Sequence, residues 1–195
     1  MIDRPDYINA ITPFIDKPLV KILAGIRRCG KSTIFEMLKL ELLKRGVSEG
    51  NIIPKEYTEM DIPESTSAKE MYGELLNAIS GRGRCYLLLD EIQEIKDWEK
   101  AVNSLLESAD VDIYVTGSNS KLMSSEISTY LTGRYVSIPV YTLSFREYLD
   151  FKADSTLSRK ELWRTTSVWA VSPSLHSPTM RNSLPTKLST GSIIR

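Results

Sequence analysis

Residues Gly25, Ile26, Arg27, Arg28, Cys29, Gly30, Lys31, Ser32 and Thr33 crowd two guanidinium groups, a thiol, an ammonium and two hydroxyls into a turn bounded by glycine. The turn follows the apolar run Leu19–Ala24. Gly25-x-x-x-x-Gly30-Lys31-Ser32 fits the phosphate-loop pattern G-x-x-x-x-G-K-[ST], whose spacing has a physical basis. Glycines let the backbone adopt dihedrals that aim several N–H groups at one anion. A helix starting at the loop adds its N-terminal partial positive charge. Lys31 then places an ammonium on the β- and γ-phosphates, and the Ser32 hydroxyl takes a Mg2+ coordination position. Arg27 and Arg28 either reach phosphates or a neighbouring subunit, or are solvated loop charges. For Cys29 the helix terminus and the nearby cations predict a lowered thiol pKa and alkylation that blocks nucleotide binding; the alternative is an inert small residue.

A second set of groups lies about sixty residues on, in the reach expected of a β-sheet neighbour. "YLLLDE" is four apolar residues followed by Asp90 and Glu91, a Walker B pattern. At the carboxyl end of a strand beside the phosphate loop, Asp90 would hold Mg2+ through water or beside Ser32. Glu91 could polarise the attacking water as a general base. "VDIYVTGSN" ends in small polar residues, so that Ser118 or Asn119 could sit near the γ-phosphate and orient that water.

These groups need a scaffold that brings them to one edge. "LVKILAG", "RCYLLLDE", "VDIYVTGSN" and "YVSIPVYTL" read as strands, and "EYTEMDI" as a further one. Between them, Ser32–Arg45 has helical apolar spacing ended by Gly46. Ser67 and Glu70 form a capping box ahead of Met71, Tyr72, Leu75, Leu76 and Ile79. Trp98, Ala101, Val102, Leu105 and Leu106 recur at i, i+3, i+4, i+7 and i+8. Tyr7–Ile15 suits a short helix despite Pro13, and "SFREYLDF" starts another. Near-continuous apolar strands alternating with helices imply an α/β fold with a mostly parallel sheet covered on both faces.

The 195 residues suffice for one domain with a real core. No stretch approaches the roughly 18 apolar residues of a membrane span. The two cysteines, Cys29 and Cys85, have neither disulfide-scaffold nor metal-ligand spacing, and reduced cytoplasmic thiols are the default. The net charge of zero argues for neither a nucleic-acid nor a membrane partner. It conceals an asymmetry, since all 25 acids lie at or before Glu161 while Arg164, Arg181, Lys187 and Arg195 follow.

"GIRRCGKST", "LLLDEIQ", "VTGSN" and "LTGRY…TLSFREYL" together resemble AAA+-type P-loop ATPases. The resemblance is strongest to the prokaryotic group whose members often carry a C-terminal nuclease-like domain, and it covers about Arg4 to Phe151. It implies a three-layer P-loop NTPase sandwich with a five-stranded sheet in the order 5-1-4-3-2. It implies ATP and Mg2+ as cofactors, hydrolysis, a sensor role for Asn119 and an arginine finger at Arg134. Such a finger is often supplied by a neighbouring subunit, which makes a homo-oligomer a possible partner. The expected organisation is a helical segment at 1–16, an ATPase core at 17–151 and an irregular basic tail at 152–195.

That tail departs from the group, whose chains continue from "SFREYL" into more helices. From Thr165 to Arg195 there are seven Ser, five Thr and three Pro, and no acid. It reads as out-of-frame sequence, an artefact, or a natural basic tail for an acidic partner. His176 has no ligand partners at useful spacing. If the lid helices are missing, the fragment is expected to bind ATP while hydrolysing it slowly.

The leading function is ATP hydrolysis coupled to an attached domain. The alternatives are a nucleotide-gated switch with little turnover, and a nucleic-acid-associated ATPase that rests on the resemblance alone. A small-molecule kinase is weaker, since the paired carboxylates favour water as acceptor. No Asn-Lys-x-Asp element supports guanine recognition.

Overall fold

Five strands with buried apolar residues pair side by side, all parallel, in the computed structural model of the chain. The structure describes residues 3–57, 67–118, 122 and 130–152. The strands are β1 (Val20–Gly25), β2 (Ile52–Glu56), β3 (Cys85–Asp90), β4 (Val111–Gly117) and β5 (Tyr135–Val140). Their order is β2-β3-β4-β1-β5, the expected order read from the other edge. The helices are α1 (Pro5–Ile11), α2 (Lys31–Lys44), α3 (Ala68–Ile79), α4 (Trp98–Ser108) and α5 (Phe145–Phe151).

Side chains alternate across the pleat and so divide the core into two. Ile22, Ala24, Leu87, Leu89, Ile113 and Val115 pack with Met71, Leu75, Val102 and Leu105 of α3 and α4. Leu23, Leu88, Tyr114 and Ile138 pack on the other face with Ile11 of α1 and Ile34, Leu38 and Leu42 of α2. The three central strands β1, β3 and β4 are buried along their whole length, as a doubly covered parallel sheet requires.

Local chemistry sets the helix limits. α2 ends in a Schellman arrangement: Gly46 N–H donates to Leu43 O at 3.0 Å and Val47 N–H to Leu42 O at 3.1 Å. Gly46 takes the left-handed φ of 89° that this motif needs. At α3 the expected capping box is present, with Ser67 N–H donating to Glu70 Oε2 at 2.6 Å and Glu70 N–H to Ser67 Oγ at 3.3 Å. Ser144 and Glu147 form the same box at α5.

Two expectations need correction. The second strand runs over Ile52–Glu56 in register with Tyr86–Asp90 and so meets the expected "EYTEMDI" only at Glu56; Tyr57 is not in a strand, and residues 58–62 of that stretch lie outside the described residues. β2 lies at the sheet edge, where Pro54 costs no ladder bond on the open side. The first helix stops at Ile11, and Thr12–Phe14 forms a separate 3-10 turn with Pro13 in its first positions.

Candidate active site

β1 delivers the chain to the carboxyl edge of the sheet and α2 takes it away, with the loop 26–30 between. Two glycines are required there for different reasons. At Gly25 a Cβ would lie 2.4 Å from the Val140 carbonyl oxygen and 2.6 Å from Cys29 Sγ, so only a bare α-carbon fits beside β5. Gly30 precedes α2 with φ 98°, a left-handed backbone natural to glycine. Arg28 also has positive φ, at 66°. Such turns into a helix start gather N–H groups at a concave edge, and no side chain caps α2.

Lys31 is the first residue of α2 and is only 4% exposed. Its Nζ donates to the carbonyl oxygens of Gly25 and Ile26, both at 3.3 Å, which is long for such bonds. It also stands 3.5 Å from Glu91 Oε1. The loop and the β3 terminus, 60 residues apart in sequence, therefore meet as the spacing predicted. Ser32 is exposed on the first turn of α2, and Thr33 is half-buried.

Asp90 closes β3 and is buried. Its Oδ1 accepts from Thr116 Oγ1 and from Glu91 N–H, the latter at 3.1 Å. Both bonds fall on one oxygen, which leaves acceptor capacity on Oδ2. Glu91 sits at φ 52°, a left-handed conformation that costs a non-glycine residue on the order of 1–3 kcal/mol and clusters at functional sites. Its N–H also donates to Thr116 Oγ1 at 3.1 Å. Its Oε2 accepts from Gln93 Nε2 at 2.6 Å.

The loop is tied down from behind by Arg4, a residue the sequence reading passed over. Arg4 is 2% exposed and donates to Cys29 O at 3.0 Å, Tyr141 O at 3.0 Å, Tyr7 Oη at 3.2 Å and Glu147 Oε1 at 2.7 Å. One guanidinium thus joins the N-terminal segment, the phosphate loop, the segment after β5 and α5. Burial pushes the Glu147 carboxyl up, but the bonds from Arg4 and Ser144 outweigh it and hold the group below its ordinary range.

Cys29 corrects an expectation. The thiol is buried, and burial raises its pKa by more than Lys31 and Arg4 lower it. Arg27 and Arg28 are exposed. Asn119 lies outside the described residues, as do His176 and the tail from residue 153. Arg134 is exposed and bonds Glu107 Oε1 and Asn103 Oδ1, the latter at 3.1 Å. It precedes Tyr135, which is in register with Val20 at the amino end of β1. Arg134 therefore lies at the sheet edge opposite its own phosphate loop.

A family model described as AAA domain matches residues 17–149. The chain belongs to the AAA domain family. It is an ATPase-like nucleotide-binding domain, and its fold agrees with solved AAA+ structures. A Hsp104–ADP complex from S. cerevisiae superimposes with a TM-score of 0.59 at 16% identity, covering 78% of this chain and 24% of that one. A DNA polymerase III gamma subunit-related protein from Thermotoga maritima gives 0.52 at 12% identity, covering 87% and 55%. At such identities the likeness concerns the fold. Two relatives, both uncharacterized, are more similar in sequence. One from Haemophilus influenzae is 35% identical over 160 residues, covering 82% of this chain and 40% of the relative. One from Methanocaldococcus jannaschii is 33% identical over 134 residues, covering 68% and 29%. The chain thus spans well under half the length of these relatives. No helix among the described residues is long and apolar enough to cross a membrane.

Proposed function

We propose that this AAA domain binds Mg2+ and ATP at the β1–α2 loop and hydrolyses the γ-phosphate. One observation carries the reading. Lys31, buried and loosely bonded to two loop carbonyls, faces the Glu91 carboxylate 3.5 Å away. A partly desolvated ammonium with long bonds has interaction capacity to give to a stronger anion, and a triphosphate is one. The residues fit the nucleotide: Gly25 and Gly30 let the backbone close round phosphate oxygens, and the start of α2 adds its partial positive charge. They fit the metal through the Ser32 hydroxyl and the Asp90 carboxylate, two hard oxygen donors. The metal would neutralise charge on the phosphates. Glu91 is the base that takes the proton from water, and Asn119 orients that water.

Arg134 acts on the site of a neighbouring copy, because its own site lies across the sheet. This makes hydrolysis depend on assembly. The length of the relatives supports a further attached domain to which nucleotide state is coupled. Nucleic acid is a partner only if DNA stimulates turnover.

The test is calorimetry and turnover with Mg·ATP on the purified chain. Lys31→Ala is expected to weaken binding by about 1.5–3 kcal/mol, ten- to a hundredfold or more. Glu91→Gln is expected to keep binding and lose turnover by roughly 10²–10⁴. Undiminished turnover in Glu91→Gln would exclude the general-base role. Tight binding without turnover in the wild-type assembly would favour the nucleotide-gated switch instead.

A further inference from the structure

Only Tyr57 and Gln93, among the described residues, leave a buried side-chain polar atom without a hydrogen-bond partner. Tyr57 directly follows the edge strand β2. Gln93 lies inside the site just described. Its Nε2 donates to Glu91 Oε2 at 2.6 Å and to Glu94 Oε1 at 3.0 Å. Chemistry fixes this orientation of the carboxamide, since a flipped amide would turn its oxygen on two carboxylates. The oxygen that remains, Oε1, is buried against the end of β4. A Cβ on Gly117 would lie 2.0 Å from it. Gln93 is therefore wedged between the Glu91 carboxylate and the strand that leads to Ser118, and the absence of a side chain at 117 makes room for it.

The consequence concerns the two oxygens of Glu91. Oε2 is held by Gln93, while Oε1 faces Lys31 at 3.5 Å. We propose that Gln93 is the positioning residue of the hydrolytic site: it fixes Oε2 so that Oε1 stays turned toward the phosphate loop as the atom that accepts the proton from water. This rests on Glu91 being the base. When a triphosphate draws the Lys31 ammonium to itself, Oε1 loses its cation and becomes the open acceptor. Oε2 keeps its bond, so the carboxylate does not swing. The short, charge-assisted bond and the unpaired Oε1 of Gln93 are two sides of one arrangement. The carboxamide gives up a partner for its oxygen in order to aim its nitrogen.

The experiment measures steady-state Mg·ATP turnover and melting temperature for the wild type, Gln93→Met, Gln93→Asn, Glu91→Gln and Glu91→Gln/Gln93→Met. Gln93→Met keeps the volume and loses both donors. It is expected to lower kcat by about ten- to a hundredfold, the scale of an ångström's misplacement of a reacting group. KM should stay within about twofold, as for an interaction used in the transition state. Gln93→Asn keeps the amide but withdraws it by one methylene, and is expected to lose a similar factor; it carries the test if the Met variant melts early. In the Glu91→Gln background, Gln93→Met should cost nothing further, because it acts through the carboxylate. Turnover in both Gln93 variants within about twofold of wild type, with Glu91→Gln inactive, would overturn the proposal and leave the catalytic reading standing. So would a second, independent loss in the double variant. If Glu91→Gln itself turned over normally, the reading beneath the proposal would be the one to fall.

Discussion

Among the described residues two lysines are almost fully buried, one near each end of β1, and their surroundings differ in kind. Lys21, at 0% exposure, is held by close partners. Its Nζ is paired with Asp112, donates to Lys17 O at 2.9 Å and lies 5.3 Å from the centroid of the Tyr114 ring. Asp112 in turn accepts from Tyr114 Oη at 2.7 Å and from Asp16 N–H at 2.9 Å. Burial lowers the pKa of Lys21, and the Asp112 pairing opposes this only in part. Lys31, at the other edge, has two carbonyls at 3.3 Å and one carboxylate at 3.5 Å. The first ammonium is committed to the fold, because it is paired with a buried carboxylate and bonded closely to a carbonyl. The second is positioned by the fold through longer, looser contacts. A buried charge of that second kind fits the proposed role of Lys31 in nucleotide binding.

The sharpest way to break this comparison is to delete each ammonium and measure unfolding. Lys21→Met strands Asp112 as an uncompensated buried charge and is expected to cost about 3–5 kcal/mol in urea unfolding, enough to threaten the fold. Adding Asp112→Asn should return part of that loss, since the orphaned charge disappears while the acceptor oxygen remains. Lys31→Met is expected to change stability by less than about 1 kcal/mol, because its bonds are long and each nets little. Similar losses at both sites would mean that Lys31 is as structural as Lys21.

A smaller effect is expected at Gly25, where the phosphate loop passes β5. Gly25→Ala would press a methyl onto the Val140 carbonyl oxygen and onto Cys29 Sγ. Backbone cannot yield as a side-chain tip does, so the expected cost is about 1–3 kcal/mol of overpacking. Nucleotide affinity should fall with it, because the loop is what shifts. Calorimetric binding alongside a thermal melt checks both, and an unchanged melt would show that β5 moves aside freely.

What could be read ahead of the structure was whatever depends on nearby residues or on a strong pattern. The loop glycines, Lys31, the Asp90–Glu91 pair, the Ser67–Glu70 box and the i, i+3, i+4 stripe of α4 are all local signals. The sheet order came from resemblance and not from any residue's chemistry. β2 was misplaced because an edge strand has one open side. Ile52–Glu56 carries Pro54, Lys55 and Glu56, and so lacks the apolar run that marks β1 or β3. Arg4 was missed because its partners lie up to 143 residues away. Thr116 did leave a trace, as the one aliphatic hydroxyl in the strand "VDIYVTG", and its bond to Asp90 explains it. Gln93 left only its place two residues after Glu91. Cys29 was misjudged for an instructive reason: nearby cations can be seen in a sequence, whereas the burial that outweighs them cannot.

The smallest expected effect concerns the Arg4 tie, and its sign can be worked out. Glu147 accepts from Arg4 at 2.7 Å and from Ser144 N–H at 2.7 Å. Burial raises its pKa, but these bonds win, so the folded value is depressed below the unfolded one. Between the two values the unfolded chain binds more protons, and stability therefore rises with pH in that window. The contribution is fully present above about pH 4.3, the ordinary glutamate value, and is lost as the pH falls through the lower folded value. Glu147→Gln removes the titrating group while keeping its shape. Urea unfolding of wild type and variant should show their widest gap near neutrality, narrowing as the pH drops below that of an unperturbed carboxylate. Other acids titrate in the same range, but they are common to both proteins and cancel in the difference. A gap of constant width would mean that Arg4 is held by the Cys29 and Tyr141 carbonyls and the Tyr7 hydroxyl, without Glu147. The phosphate loop would then be tied to the rest of the domain by shape, with no ionic link through α5.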